Sequence, residues 1–169
     1  MKKTFQTAAF SLLFGVLLFV SMGCPVGLGY PLDEPGTVKI DPQLIGTWVA
    51  EDESAEMLKV KVSKKDNYTL FVEVLESSEN YLMDVSTFDA WVTTFEGKNF
   101  LFAKPDDGSE ESYYHYNYEI ENGNLVIQDI SLLVNGTDGV SDMESLRKEV
   151  AASLKLEGCL TGPLLYSKE

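Results

Sequence analysis

The chain has 169 residues, with 13 basic against 27 acidic side chains and a net charge of −14. An acidic surface of this kind repels nucleic acid and anionic lipid headgroups, so binding to either through a basic patch is excluded. With one histidine, two cysteines and no Gly-x-Ser-x-Gly, His-Glu-x-x-His or Cys-x-x-Cys pattern, neither a metal site nor a cofactor is expected.

Lys2 and Lys3 precede an uncharged apolar run from Ala8 to Val20. A basic start, a short apolar stretch and small residues behind it have the form of a secretory signal. The run is shorter than the ~20 residues of a membrane-spanning helix. It ends in Ser21-Met22-Gly23-Cys24, which resembles the lipobox of bacterial lipoproteins, although leucine is usual where Ser21 stands. The resemblance implies cleavage after Gly23, acylation of the Cys24 thiol, export, and a lipid anchor in the cell envelope. Pro25 stands where an aspartate would mark inner-membrane retention, which implies the outer membrane. Acyl chains hold a membrane through about 0.8 kcal/mol per buried methylene, so attachment needs no basic surface. With Cys24 acylated, Cys159 is left as a free thiol among leucines. A Cys24–Cys159 disulfide is the competing arrangement in an oxidising compartment.

Residues 1–23 thus read as a signal peptide and residues 24–43 as a flexible tether. Pro25, Gly27, Gly29, Pro31, Pro35, Gly36 and Pro42 punctuate that tether and discourage helix and strand. Residues 44–169 form one domain of ordinary size. Its opening is Leu44 to Val49. Leu58, Val60 and Val62 then alternate with polar residues, as a strand with one buried face requires. After the polar turn 64–67, Tyr68, Leu70, Val72 and Val74 continue the pattern. Residues 81–86 and 89–95 are two further runs, with Trp91, Thr93 and Phe95 on one side of the second. Residues 96–99 turn into Phe100-Leu101-Phe102-Ala103, and Pro105 to Gly108 is a turn. Residues 112–120 and 124–131 make a hairpin around Asn122-Gly123, a strong hairpin signal.

The period then changes. Ser141 and Glu144 are spaced as a capping box, with Ser141 as N-cap. Met143, Leu146, Val150 and Leu154 share one helical face, while Glu144, Arg147 and Lys148 face water. Gly158 is a stop signal. Residues 160–167 are a last strand, in which Pro163 requires an edge or a bulge. The fold class is all-β: a single antiparallel meander barrel of about eight or nine strands, with one amphipathic helix before the last. This order of elements resembles the lipocalin family, and Gly46-Thr47-Trp48 matches its opening Gly-x-Trp motif. The resemblance implies that Trp48 closes one end of the barrel. Lys168 and Arg147 are the candidates for the cation that packs on it.

In Tyr113-Tyr114-His115-Tyr116-Asn117-Tyr118, period 2 puts Tyr114, Tyr116 and Tyr118 on one face and Tyr113, His115 and Asn117 on the other. Two functions compatible with the tyrosines remain open. They could form an aromatic wall lining a binding site, joined by Trp48, Trp91, Phe100 and Phe102, or cross-strand pairs that only stabilise the sheet. His115 stands alone, which speaks against a catalytic triad. The acidic loops 106–111 and 135–139 lack the ligand spacing of a calcium loop and read as turns. The expected function is therefore non-enzymatic: an envelope lipoprotein holding a small apolar or amphipathic molecule in its barrel. The alternative is an accessory protein with a packed barrel that meets a basic protein partner through its acidic exterior.

Overall fold

The computed structural model describes residues 27–79, 81, 85–108 and 111–169. Gly23, Cys24 and the rest of the predicted signal lie outside these. Eight strands are present: β1 (Gly46–Ala50), β2 (Met57–Lys64), β3 (Leu70–Ser77), β4 (Thr87–Phe95), β5 (Lys98–Pro105), β6 (Tyr114–Glu121), β7 (Asn124–Ile130) and β8 (Leu160–Lys168). Each pairs antiparallel with the next, and β8 returns to β1, so the sheet closes on itself. Closure satisfies the hydrogen-bonding groups that edge strands would leave open. Among the described residues there is one α-helix, α1 (Met143–Ser153), which precedes β8. The result is a lipocalin-like barrel, as the order of elements implies.

Two hairpins show why the register is what it is. Glu96 and Gly97 have φ of 51° and 76°, and Asn122 and Gly123 have 53° and 86°. Two consecutive residues with positive φ make the tight turn whose twist matches that of the flanking strands. Phe95 therefore pairs with Lys98, and Glu121 with Asn124. These turns gather at one end of the barrel, beside the short 3-10 turn Pro42–Leu44. The long connections 51–56, 78–86, 106–113 and 131–159 gather at the other end, the mouth.

Alternation sends one residue of each pair inward. Trp48, Val60, Leu70, Val92, Tyr118 and Leu125 belong to this inner core. Pro163 sits where the β7–β8 register slips: Ile127 pairs with Leu164 but Asp129 with Thr161, so β8 carries the extra residue of a bulge. Gly162, with φ of 61°, supplies the left-handed residue of that bulge. No edge exists in the closed barrel, and the bulge is what accommodates the proline.

Three expectations are corrected. Of the predicted run 81–86, the described residues 81, 85 and 86 are not strand, and the others lie outside the described residues. The helix is capped one residue later than expected. Asp142 accepts from Ser145 N at 2.7 Å while Ser145 Oγ accepts from Asp142 N at 3.0 Å, which leaves Glu144 free to pair with Lys148 at 2.6 Å. The segment after residue 26 is not a loose tether but a belt down the outer wall. Leu28 and Tyr113 exchange backbone hydrogen bonds of 2.9 and 2.7 Å near the mouth. Leu32 is fully buried, Asp33 accepts from Thr93 Oγ1 at 2.7 Å, and Ile40 N donates to Asn67 O at 3.1 Å near the opposite end. Prolines and glycines forbid regular structure in this segment, but Leu28 and Leu32 give it an apolar face to dock.

Candidate functional site

The candidate site is the barrel interior. Its floor is built around Trp48, 1% exposed. The indole Nε1 donates to Leu44 O at 2.8 Å, which ties the Pro42–Leu44 turn across the barrel end. Lys168 lies over the indole with Nζ 4.9 Å from the ring centroid, a cation–π contact. Of the two candidates for this role, Lys168 takes it; the Arg147 guanidinium is 4.3 Å from the Phe95 ring and 3.7 Å from Asp33. Gly46 completes the floor. Its φ is 152°, and a Cβ there would stand 2.4 Å from Lys168 Cε.

Above the floor lie two adjoining cavities, of ≈ 80 and ≈ 60 Å³. The deeper is lined by Leu44, Val62, Leu125 and Ile127, and the outer one, toward the mouth, by Glu56, Tyr81, Phe88 and Tyr114. Met57, Val72, Leu101 and Tyr116 line both. The walls are almost wholly apolar.

Tyr114, Tyr116 and Tyr118 all stand on the inner face of β6. Their hydroxyls differ in surroundings. Tyr118 Oη lies 3.3 Å from Asp41 Oδ2, and burial chiefly raises its pKa. Tyr116 lines both cavities. Burial first, then the carboxylates of Asp129 and Glu56, push its pKa far above that of a free phenol. Among the described residues the Tyr116 hydroxyl has no hydrogen-bond partner, and the surface the ring still exposes faces the cavities.

Trp91, Phe100 and Phe102 do not join this wall. Strand parity turns them outward, because Ala90, Val92, Leu101 and Ala103 occupy the inner positions of β4 and β5. There they form a second core with Leu32 of the belt and Leu146 and Val150 of α1. Trp91 and Phe102 stack at 5.8 Å, and His115 stacks on Phe102 at 6.2 Å. His115 is thus on the outer face, and the imidazole does not reach the cavities. Both ring nitrogens are buried and neither makes a hydrogen bond of good geometry; burial pushes the pKa down from 6.5 to about 4, with the Tyr113 backbone opposing it in part.

Four residues of the site lack any sequence motif. Glu56 and Tyr81 stand in the connections at the mouth, and Asp129 and Tyr166 point inward from β7 and β8. Burial raises the pKa of Glu56, with the Asp129 charge second, and burial raises that of Asp129. Tyr81 and Tyr166 are each pushed up to about 12, by burial first and by nearby carboxylates after it. The Tyr81 hydroxyl donates to Val85 O, and that of Tyr166 to Met57 O at 2.9 Å. Asp129 was detectable as a charge in phase with Leu125 and Ile127 on the inward face of β7. Glu56 carries no such signal.

The fold and the interior together define a small lipocalin-like barrel with a closed floor and a partly empty, tyrosine-lined interior. The sequence matches no family of known proteins, no curated protein and no solved structure.

Proposed function

We propose that the chain is an exported, lipid-anchored envelope protein whose barrel binds a small apolar molecule without transforming it. The observation that carries the binding reading is the pair of adjoining apolar cavities, with the unpartnered phenol of Tyr116 in the wall they share. A dry cavity lined by apolar side chains favours an apolar guest over water, and one polar group in such a wall fixes the orientation of a ligand. The test is titration of the purified protein with an apolar fluorophore and with small aromatic hydrocarbons. Saturable binding that competes between the two supports the reading, and absence of saturation rejects it.

The anchor rests on Lys2, Lys3, the run from Ala8 to Val20 and Gly23-Cys24. Two residues, Pro25 and Val26, separate Cys24 from Gly27, where the described chain begins beside Ser112 at the mouth. The three residue steps from Cys24 to Gly27 span at most about 10 Å, so an acyl group on Cys24 would hold the mouth, not the floor, next to the bilayer. Intact-protein mass spectrometry on membrane-purified material, against a Cys24→Ser control, decides this. An acyl-glyceryl adduct on a chain starting at Cys24 supports the anchor, and an unmodified chain cleaved elsewhere rejects it.

A second reading has its own observation. Cavities of ≈ 80 and ≈ 60 Å³ are well below the roughly 300–1,000 Å³ of ordinary ligand pockets. A packed barrel that meets a basic protein through its acidic exterior is consistent with that filling. Capture of such a partner from cross-linked envelopes, lost as salt screens the charges, would favour it.

A further inference from the structure

The mouth of the barrel holds an electrostatic imbalance. Glu56 lines the outer cavity, and Asp129 points inward beside Tyr116, with which it pairs across the β6–β7 ladder. Both carboxylates are half-buried, and among the described residues neither has an ion pair or a hydrogen bond. Tyr116 is their common neighbour: it lines the outer cavity together with Glu56 and is the register partner of Asp129. Around them stand aromatic rings: Tyr81, Phe88, Tyr114 and Tyr116 on the outer cavity and Tyr166 on the deeper one. Buried carboxylates are ordinarily paired, since desolvation without a partner is costly. Aromatic faces beside carboxylates are the usual surroundings of a bound organic cation. Tyr116, whose side chain lines both cavities, has no hydrogen-bond partner among the described residues.

We infer that the barrel takes a small organic cation: an ammonium group held at the mouth between Glu56 and Asp129, with a compact apolar body in the cavity below. This rests on the binding reading above and narrows its ligand class. The two cavities limit the body to about the size of a single ring, since an apolar cavity of about 150 Å³ holds benzene. Met57, in the wall common to both, can shift to join them, because an unbranched thioether repacks readily.

The test is calorimetric titration of the purified protein at pH 7 and low salt with three probes of nearly one shape: benzylamine, a cation at this pH; benzyl alcohol, neutral; and benzoate, an anion. Benzylamine is expected to bind at least tenfold more tightly than benzyl alcohol, and benzoate most weakly. In the Glu56→Gln, Asp129→Asn double variant, checked for folding by its thermal transition, the preference for the amine should vanish while the alcohol binds as before. Tyr116→Phe should weaken both the amine and the alcohol. If the alcohol binds as tightly as the amine, or the preference survives the double variant, the cation assignment is wrong and the binding reading stands. If none of the probes binds, the binding reading falls with it.

Discussion

Lys168 crosses the indole of Trp48 from directly opposite it on the strand pair that closes the barrel. The two residues are register partners in the β1–β8 ladder, with Nζ 4.9 Å from the ring centroid. The same ammonium lies 3.3 Å from Gln43 O, so one side chain ties the floor turn, β1 and β8 together. Such a contact is worth about 0.5–2 kcal/mol, more where water is excluded. Lys168→Met should therefore lower unfolding stability by about 1 kcal/mol while keeping the apolar stem, and Lys168→Arg should retain most of it. Gly46→Ala should cost more, from its φ of 152° and from a Cβ 2.4 Å from Lys168 Cε. Chemical denaturation of the single variants and of the double variant Gly46→Ala, Lys168→Ala checks this. The double variant should be more stable than the sum of the two losses, because the clash is removed with the lysine. Strict additivity would mean that the two residues do not interact.

A second prediction concerns acid. His115 is buried neutral on the outer face, with its pKa lowered from 6.5 to about 4 by burial. The unfolded chain binds a proton at pH 6.5 that the folded chain refuses until about pH 4. Stability contributed by this group is thus present above the unfolded pKa and is lost as pH falls through that window. The full shift corresponds to roughly 3 kcal/mol. His115→Phe keeps a ring against Phe102 and removes two buried nitrogens that make no hydrogen bond of good geometry. It should be more stable than the parent at pH 7 by about 1–3 kcal/mol and should show a flatter stability profile between pH 6.5 and 4. Urea melts of both proteins across that range decide it. Parallel profiles would contradict the assignment.

Alternation alone separates the two faces of a strand more readily than it says which one points inward. On β6 alternation separates Tyr114, Tyr116 and Tyr118 from Tyr113, His115 and Asn117 but does not say which set points in, because both sets carry aromatic rings and Asn117 is itself buried. On β4 and β5 alternation cannot choose a face either. Ala90, Val92, Leu101 and Ala103 point in, while Trp91, Phe100 and Phe102 point out and are as apolar. A strand covered on both faces loses its polar side, and here α1 and the belt of residues 27–41 supply the second cover. The belt was hidden for a related reason. Its glycines and prolines describe what the chain cannot form, and only Leu28 and Leu32 hint at what it packs on. Glu56 stands in a loop and Asp129 beside a bulge, and no local pattern encodes that both lie next to Tyr116.

The junction between α1 and the barrel gives a third prediction. Glu149 is 3% exposed. Its carboxylate accepts from Val134 N at 2.8 Å, Asn135 N at 2.9 Å and Asn135 Nδ2 at 2.9 Å, and Ser153 Oγ lies at 3.3 Å. Burial pushes its pKa up, but the donors from Asn135, Val134 and Ser153 outweigh this, and the carboxyl ends below its ordinary value. The loop after β7 is thereby fastened to the helix that covers Phe100 and Phe102. Glu149→Ala would strand backbone donors away from water, at about 2–4 kcal/mol. Faster amide exchange at Val134 and Asn135 should accompany the lower melting temperature. A variant with unchanged exchange at these amides would show that other contacts hold the loop.

Asp129 carries the last prediction, and its sign is opposite to that of His115. Burial raises its pKa in the folded chain, so the folded state takes up a proton more readily than the unfolded one. The stability this group contributes is fully present below the unfolded pKa and is lost as pH rises through the folded pKa. Ionising this carboxyl in the folded barrel is therefore costly, and among the described residues no cation pairs with it. Asp129→Asn removes that charge while keeping the shape of the side chain. Its urea midpoint should rise relative to the parent at pH 7 and should not rise at pH 3, where the carboxyl is protonated in both states. A variant equally stable at the two pH values, relative to the parent, would mean that Asp129 is solvated at the mouth. A variant less stable at pH 7 would mean that its charge already has a partner, and the imbalance that calls for an organic cation would be absent.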